Sequence, residues 1–186
     1  FTHYNYALVA SHATNCTVAT YTGWTTSSDM NSAVSGDGNK RLCILVRTQS
    51  GMETQKSNAK IFDWVFDSTP PTAAEITLSG TPVNPSNSTQ LDVTVAGVVS
   101  YRYAIVLQTE ACNNAVYSVS TIAVASKITD TLGPDGDYRL CVIATDLAGN
   151  ETLPTNAKAL DWTKNTTASF AVISNEPNLE SNDSAL

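Results

Sequence analysis

The heptapeptide DGNKRLC at residues 37–43 returns as DGDYRLC at residues 135–141, and NAKIFDW at residues 58–64 returns as NAKALDW at residues 156–162. Both pairs are displaced by 98 positions, and YNYALV from Tyr4 answers YRYAIV from Tyr101 in the same order. A fixed period of this length marks a chain assembled from one repeated structural unit. The likeness also runs forward: residues 72–91, TAAEITLSGTPVNPSNSTQL, align without a gap to residues 167–186, TASFAVISNEPNLESNDSAL. The unit is thus about 95 to 98 residues long.

Three parts follow from this period. Residues 1–66 read as the C-terminal part of one repeat and 67–165 as a complete repeat. Residues 166–186 read as the N-terminal strands of a following repeat, or as a strand complementing a neighbouring chain. The expectation is of a piece of a longer array, whose two partial ends together make nearly one whole unit.

Within the complete repeat, short alternating segments separated by turn residues read as strands at 75–79, 91–96, 101–108, 119–125, 127–132, 137–145 and 155–162. Seven strands in a unit of this size fit an immunoglobulin-like β-sandwich. No segment sustains a helical period, and the PDG at Pro134 and AGN at Ala148 are turn chemistry. Alternation also assigns faces. Tyr101, Tyr103, Ile105 and Leu107 share one side of their strand, as do Tyr138, Leu140, Val142 and Ala144. These are the expected core faces.

Cys141 falls on the opposite face with Arg139, and Cys43 does so with Arg41. Because LDVTVA carries no cysteine, the expected bridges are Cys16 to Cys43 and Cys112 to Cys141, lying beside the core and joining the end of the third strand to the sixth. No CxxC or clustered His/Cys spacing points to zinc. Disulfides imply an oxidising compartment, hence an extracellular or cell-surface location.

The 186 residues carry 10 lysines and arginines against 17 aspartates and glutamates, a net charge of -7. That balance disfavours nucleic acid and anionic membrane surfaces as partners. No apolar run approaches the roughly 20 residues of a membrane span.

The linker DSTPPTAAEITLSG from Asp67 and the hairpin ATDLAGNET from Ala144 resemble the tandem bacterial immunoglobulin-like domains of large surface adhesins, in which DxTPP-type linkers and DxAGN-type turns recur. The resemblance spans essentially the whole chain. Two departures stand out: the first hairpin reads RTQSGMET, without Asp or Asn, and the second linker, WTKNTTAS, lacks both prolines and the aspartate. The resemblance implies a rod or fibre with neighbouring copies of itself in head-to-tail contact, a structural or adhesive role and no enzymatic one. Pro70 and Pro71 stiffen the linker in which they sit.

The same resemblance implies a Ca²⁺ site at the interdomain joint, where Asp67, Asp146, Asn150 and Glu151 offer hard oxygen ligands. No cofactor is required by this reading, and the alternative is that Asp146 and Asn150 satisfy turn backbone groups. Asp37, Asp135 and Asp137 read as turn residues. Trp64 and Trp162, at equivalent positions, are expected to plug the base of the unit or its joint. Trp24 has no aligned partner; with Tyr21 it suggests a glycan-binding surface, set against ordinary packing. The alternative function is therefore a carbohydrate-binding module of a secreted enzyme or phage fibre, its partner a host or prey surface glycan or protein. His3 and His12 have no counterparts, and no Ser, His and Asp combination carries a catalytic signature. Sequons begin at Asn15, Asn87, Asn150, Asn165 and Asn182, of consequence only where exported proteins are glycosylated.

Overall fold

Alternating apolar residues and glycine- or proline-bearing turns leave the backbone little use for helix, and strands carry the fold. A computed structural model describes residues 1–26, 30, 32–80 and 82–167. The strands expected within 166–186 lie, from residue 168 onward, outside the described residues.

In chain order the strands are β1 (His3–Val9), β2 (Gly38–Arg47), β3 (Lys60–Phe66), β4 (Thr77–Ser79), β5 (Gln90–Ala96), β6 (Ser100–Leu107), β7 (Ile122–Ala123), β8 (Ile128–Thr131), β9 (Gly136–Thr145) and β10 (Lys158–Lys164). The helical elements among the described residues are three single 3-10 turns, Lys56–Asn58, Cys112–Asn114 and Pro154–Asn156. The strands form three small antiparallel sheets, ordered β1-β2-β3, β10-β9-β6-β7 and β4-β5-β8. The protein is all-β, and the last two sheets pack face to face in the manner of a β-sandwich.

The core between them follows the period-two pattern. Leu91, Val93 and Val95 of β5 and Ile128 of β8 meet Tyr101 of β6, Leu140, Val142 and Ala144 of β9, and Trp162 of β10. Tyr103 and Ile105 pack at its margin, while Leu107, at the strand end, is exposed. Segment 82–88 joins the two layers: the Ser86 N–H donates to Thr163 O at 2.8 Å, and the Asn165 N–H donates to Ser86 O at 2.8 Å. This makes a short parallel bridge between Ser86 and Lys164.

The strand limits differ from the alternation-based ones where side chains capture the backbone. β4 begins only at Thr77 because residues 72–75 form a turn, in which the Glu75 carboxylate accepts the Thr72 N–H at 2.6 Å and its hydroxyl at 2.9 Å. Gly97 packs over this turn with φ +87°, and a Cβ there would lie 2.2 Å from Glu75 O. Only glycine fits, on both conformational and steric grounds. Similarly β10 begins at Lys158, because Pro154 opens a 3-10 turn where a continued strand was expected.

The β1-β2-β3 sheet has the same register as β6-β9-β10. Tyr4 pairs with Val46 as Tyr101 pairs with Ala144, and Leu42 pairs with Phe62 as Leu140 pairs with Leu160. Its disulfide side carries a small buried cluster of Ala7, Cys16, Ala19 and Cys43. The opposite side is more open: Phe62 is 60% exposed, whereas Leu160 packs against the core. Among the described residues, no second sheet lies over it.

Candidate functional site

Most of what the two halves share is scaffold. Cys16–Cys43 and Cys112–Cys141 are disulfides, each tying a loop to an inner strand of its sheet; the first lies within the small buried cluster of its own sheet and the second on the side of β9 away from the core. Next to each, an arginine grips the directly paired aspartate of the neighbouring strand with two nitrogens: Arg41 to Asp63 at 2.8 and 2.8 Å, and Arg139 to Asp161 at 2.7 and 2.7 Å. A further nitrogen of each guanidinium donates to the loop that leads into the first cysteine, at Thr14 O (3.2 Å) and Glu110 O (3.1 Å). The Tyr21 hydroxyl donates to Cys16 O at 3.1 Å, and the Tyr117 hydroxyl donates to Cys112 O at 3.0 Å. These planar, charge-assisted forks fix strand register and loop position together.

A second repeated constellation sits where each half hands the chain onward. Asp37, in the turn before β2, accepts the Ser68 N–H at 2.8 Å and the Ser68 hydroxyl at 2.6 Å, and its other oxygen accepts the Thr69 hydroxyl. Asp135, before β9, accepts the Thr166 N–H at 2.8 Å and hydroxyl at 2.9 Å, and the Thr167 hydroxyl at 3.3 Å. The residues ahead of these hydroxyls fold in the same way, since the Thr69 N–H donates to Asp67 Oδ1 and the Thr167 N–H to Asn165 Oδ1, both at 3.0 Å. Reading Asp37 and Asp135 as turn residues missed this grip. The available signal was the matched spacing of an Asp-Gly turn and a Ser/Thr-Thr pair 31 and 32 residues later in each copy.

Hydrogen bonds from Ser68 and Thr69 hold the Asp37 carboxyl below the ordinary range, and those from Thr166 do the same for Asp135. The Arg41 and Arg139 forks lower Asp63 and Asp161 likewise. A carboxyl whose folded pKa is depressed stabilises the fold above its unfolded pKa, near 3.9, and loses that contribution as pH falls through the folded value. Thermal melts across roughly pH 2 to 7 should therefore be flat down to about pH 5 and drop below about pH 4. A melting temperature that stays level to the acid end would contradict these assignments.

The hairpin after β9 brings together part of the expected oxygen-ligand set. The Asn150 side-chain amide donates to Asp67 O at 3.1 Å and to Asp146 Oδ2 at 3.0 Å, while the Asn150 N–H donates to Asp146 Oδ1 at 2.9 Å. Burial opposes the charge on Asp146, yet the bonds from Asn150, Gly149 and Ala148 keep its carboxyl below the ordinary range. Glu151 is turned to Arg102 instead, in a two-nitrogen ion pair. A pocket of about 370 Å³ beside the hairpin is lined by Asp67, Glu75, Val98 and Asp146 among others. Among the described residues, no group of three or more His, Cys, Asp or Glu side chains is placed to hold a metal ion.

Trp24 lies on a segment that bridges to β1 at Tyr4↔Thr25, and the Arg47 guanidinium sits 4.3 Å over its ring. Tyr21, besides its bond to Cys16 O, has the Lys56 ammonium 5.0 Å from its ring centroid. Trp162 is buried and stacks on Tyr138 with centroids 5.7 Å apart, while Trp64 is half-buried and tilts against Phe62. His12 Nε2 lies 3.1 Å from Trp64 O, and His3 Nδ1 lies 3.0 Å from the Thr2 hydroxyl oxygen. No described helix is long and apolar enough to cross a membrane. No family model matches the chain, and a search of curated proteins returns no match.

Proposed function

We propose that the chain is a non-catalytic structural segment of an extracellular bacterial fibre or adhesin stalk, built from tandem immunoglobulin-like units of about 95 to 98 residues. The observation that carries this reading is the division between what recurs and what does not. The disulfide, the arginine fork, the tyrosine on the cysteine carbonyl and the outgoing aspartate grip appear in both halves. The side chains with chemical potential, Trp24, His3, His12, Asp146 and Asn150, appear once each. A chain that duplicates its framework without duplicating a site is suited to extending a surface away from its anchor. The disulfides support an oxidising location, and neighbouring copies in head-to-tail contact are the natural partners.

Electron microscopy of the assembled material tests this directly. Elongated rods or fibres with an axial repeat near one unit length, about 40 Å for strands of ordinary length, are expected. Compact isolated particles that bind a defined glycan on an array would replace the structural reading with the carbohydrate-binding one.

A further inference from the structure

The linker between the two halves is gripped from both sides. From the first half, Asp37 takes the backbone and hydroxyl of Ser68 and the hydroxyl of Thr69. From the second half, the Asn150 amide donates to Asp67 O at 3.1 Å, and the Thr152 hydroxyl donates to Pro71 O at 2.8 Å. Thr152 is 1% exposed, so its bond is made out of reach of competing water. Of the five residues 67–71, four are tied to one half or the other, and the remaining one, Pro70, has its φ set by its own ring.

We propose that these contacts form a two-sided clamp that fixes the orientation of one unit on the next using the chain's own side chains, without a bound metal ion. The proposal rests on the reading of the chain as a stalk and names how that stalk keeps its direction. The groups that a joint-stiffening cation would need are already committed. The Asn150 amide presents its NH2 group, not its oxygen, to Asp67 O and Asp146 Oδ2, both Asp146 oxygens accept from Asn150, Asp67 Oδ1 accepts the Thr69 N–H, and Glu151 is paired with Arg102. The outgoing grip is written in both copies. On the incoming side Thr54 matches Thr152 in sequence, but Met52 stands where Asn150 would be. The Asn150 contact is therefore a part of the incoming grip that the first copy lacks.

Residual dipolar couplings on the full disulfide-bonded chain read the clamp. In the wild type, couplings from residues 1–66 and 72–165 should fit one alignment tensor, and should continue to do so after chelation with EDTA. D37A and T152V should each abolish the single fit, giving tensors of unequal magnitude; D37N and N150A, milder changes, cover the case in which either variant misfolds. Two tensors in the wild type, one tensor retained in all four variants, or loosening on chelation alone would each overturn the clamp. None of those results bears on whether the chain is catalytic or binds glycan, and a glycan hit would overturn the stalk reading while leaving a single-tensor result intact.

Discussion

Trp162→Ala is expected to lower stability by about 3–5 kcal/mol, the usual cost of emptying a large aromatic site. The side chain is 1% exposed, lies in the core that unites both sheets, and stacks on Tyr138. A loss of that size is a large part of the roughly 5–15 kcal/mol that holds an ordinary domain together. The informative comparison is Trp162→Phe. The indole Nε1 is buried with no hydrogen-bond partner, and an unpaired buried donor carries a desolvation cost of about 1–3 kcal/mol. Phenylalanine keeps an aromatic ring and removes that donor, so it should recover more than half of the alanine loss. Urea unfolding of both variants gives the answer; equal losses would show that the phenyl ring restores none of the packing at this site.

Removing a disulfide should have a comparable effect. The bridges close segments with sequence separations of 27 and 29, for which the chain-entropy model gives about 3.5 kcal/mol each. Paired alanine replacements, C16A with C43A and C112A with C141A, avoid leaving a reactive thiol. In a chain of this size each pair should lower the melting temperature by roughly 7–14 °C, at about 2–4 °C per kcal/mol. Calorimetry that found either melting temperature unchanged would show that the arginine forks and the loop contacts alone hold those segments.

Period-two reading located the inward faces of β6 and β9 because a half-buried strand exposes its alternation directly in the sequence. It also placed Cys141 opposite Leu140 and Val142, which is where the bridge lies. Strand ends were less legible. Thr72 and Glu75 satisfy one another's turn, and Pro154 opens a 3-10 turn; both depend on local hydrogen bonding that apolar patterning does not register. The joint was legible only in part. The Asn150 amide reaches the Asp67 main-chain carbonyl and the Asp146 carboxylate, whereas Glu151 goes to Arg102 across the sheet, 49 residues away. Asp37 and Asp135 were hidden by their type, since an aspartate before glycine in a turn ordinarily serves that turn. Their partners lie about 31 residues on, beyond any local motif.

The bridge at Ser86 has a mechanical consequence. Segment 82–88 lies ahead of β5, Thr163 and Asn165 lie at the end of β10, and the two run parallel. A pull along the chain therefore slides these stretches past each other, so the Ser86–Thr163 and Asn165–Ser86 bonds are strained together instead of opening one at a time. Should they part, the Cys112–Cys141 bridge still withholds a separation of 29 residues from extension, about 100 Å of chain at roughly 3.4 Å per residue. The stretch between these bonds would lengthen under load in a bounded step, with part of its slack kept behind a covalent bond.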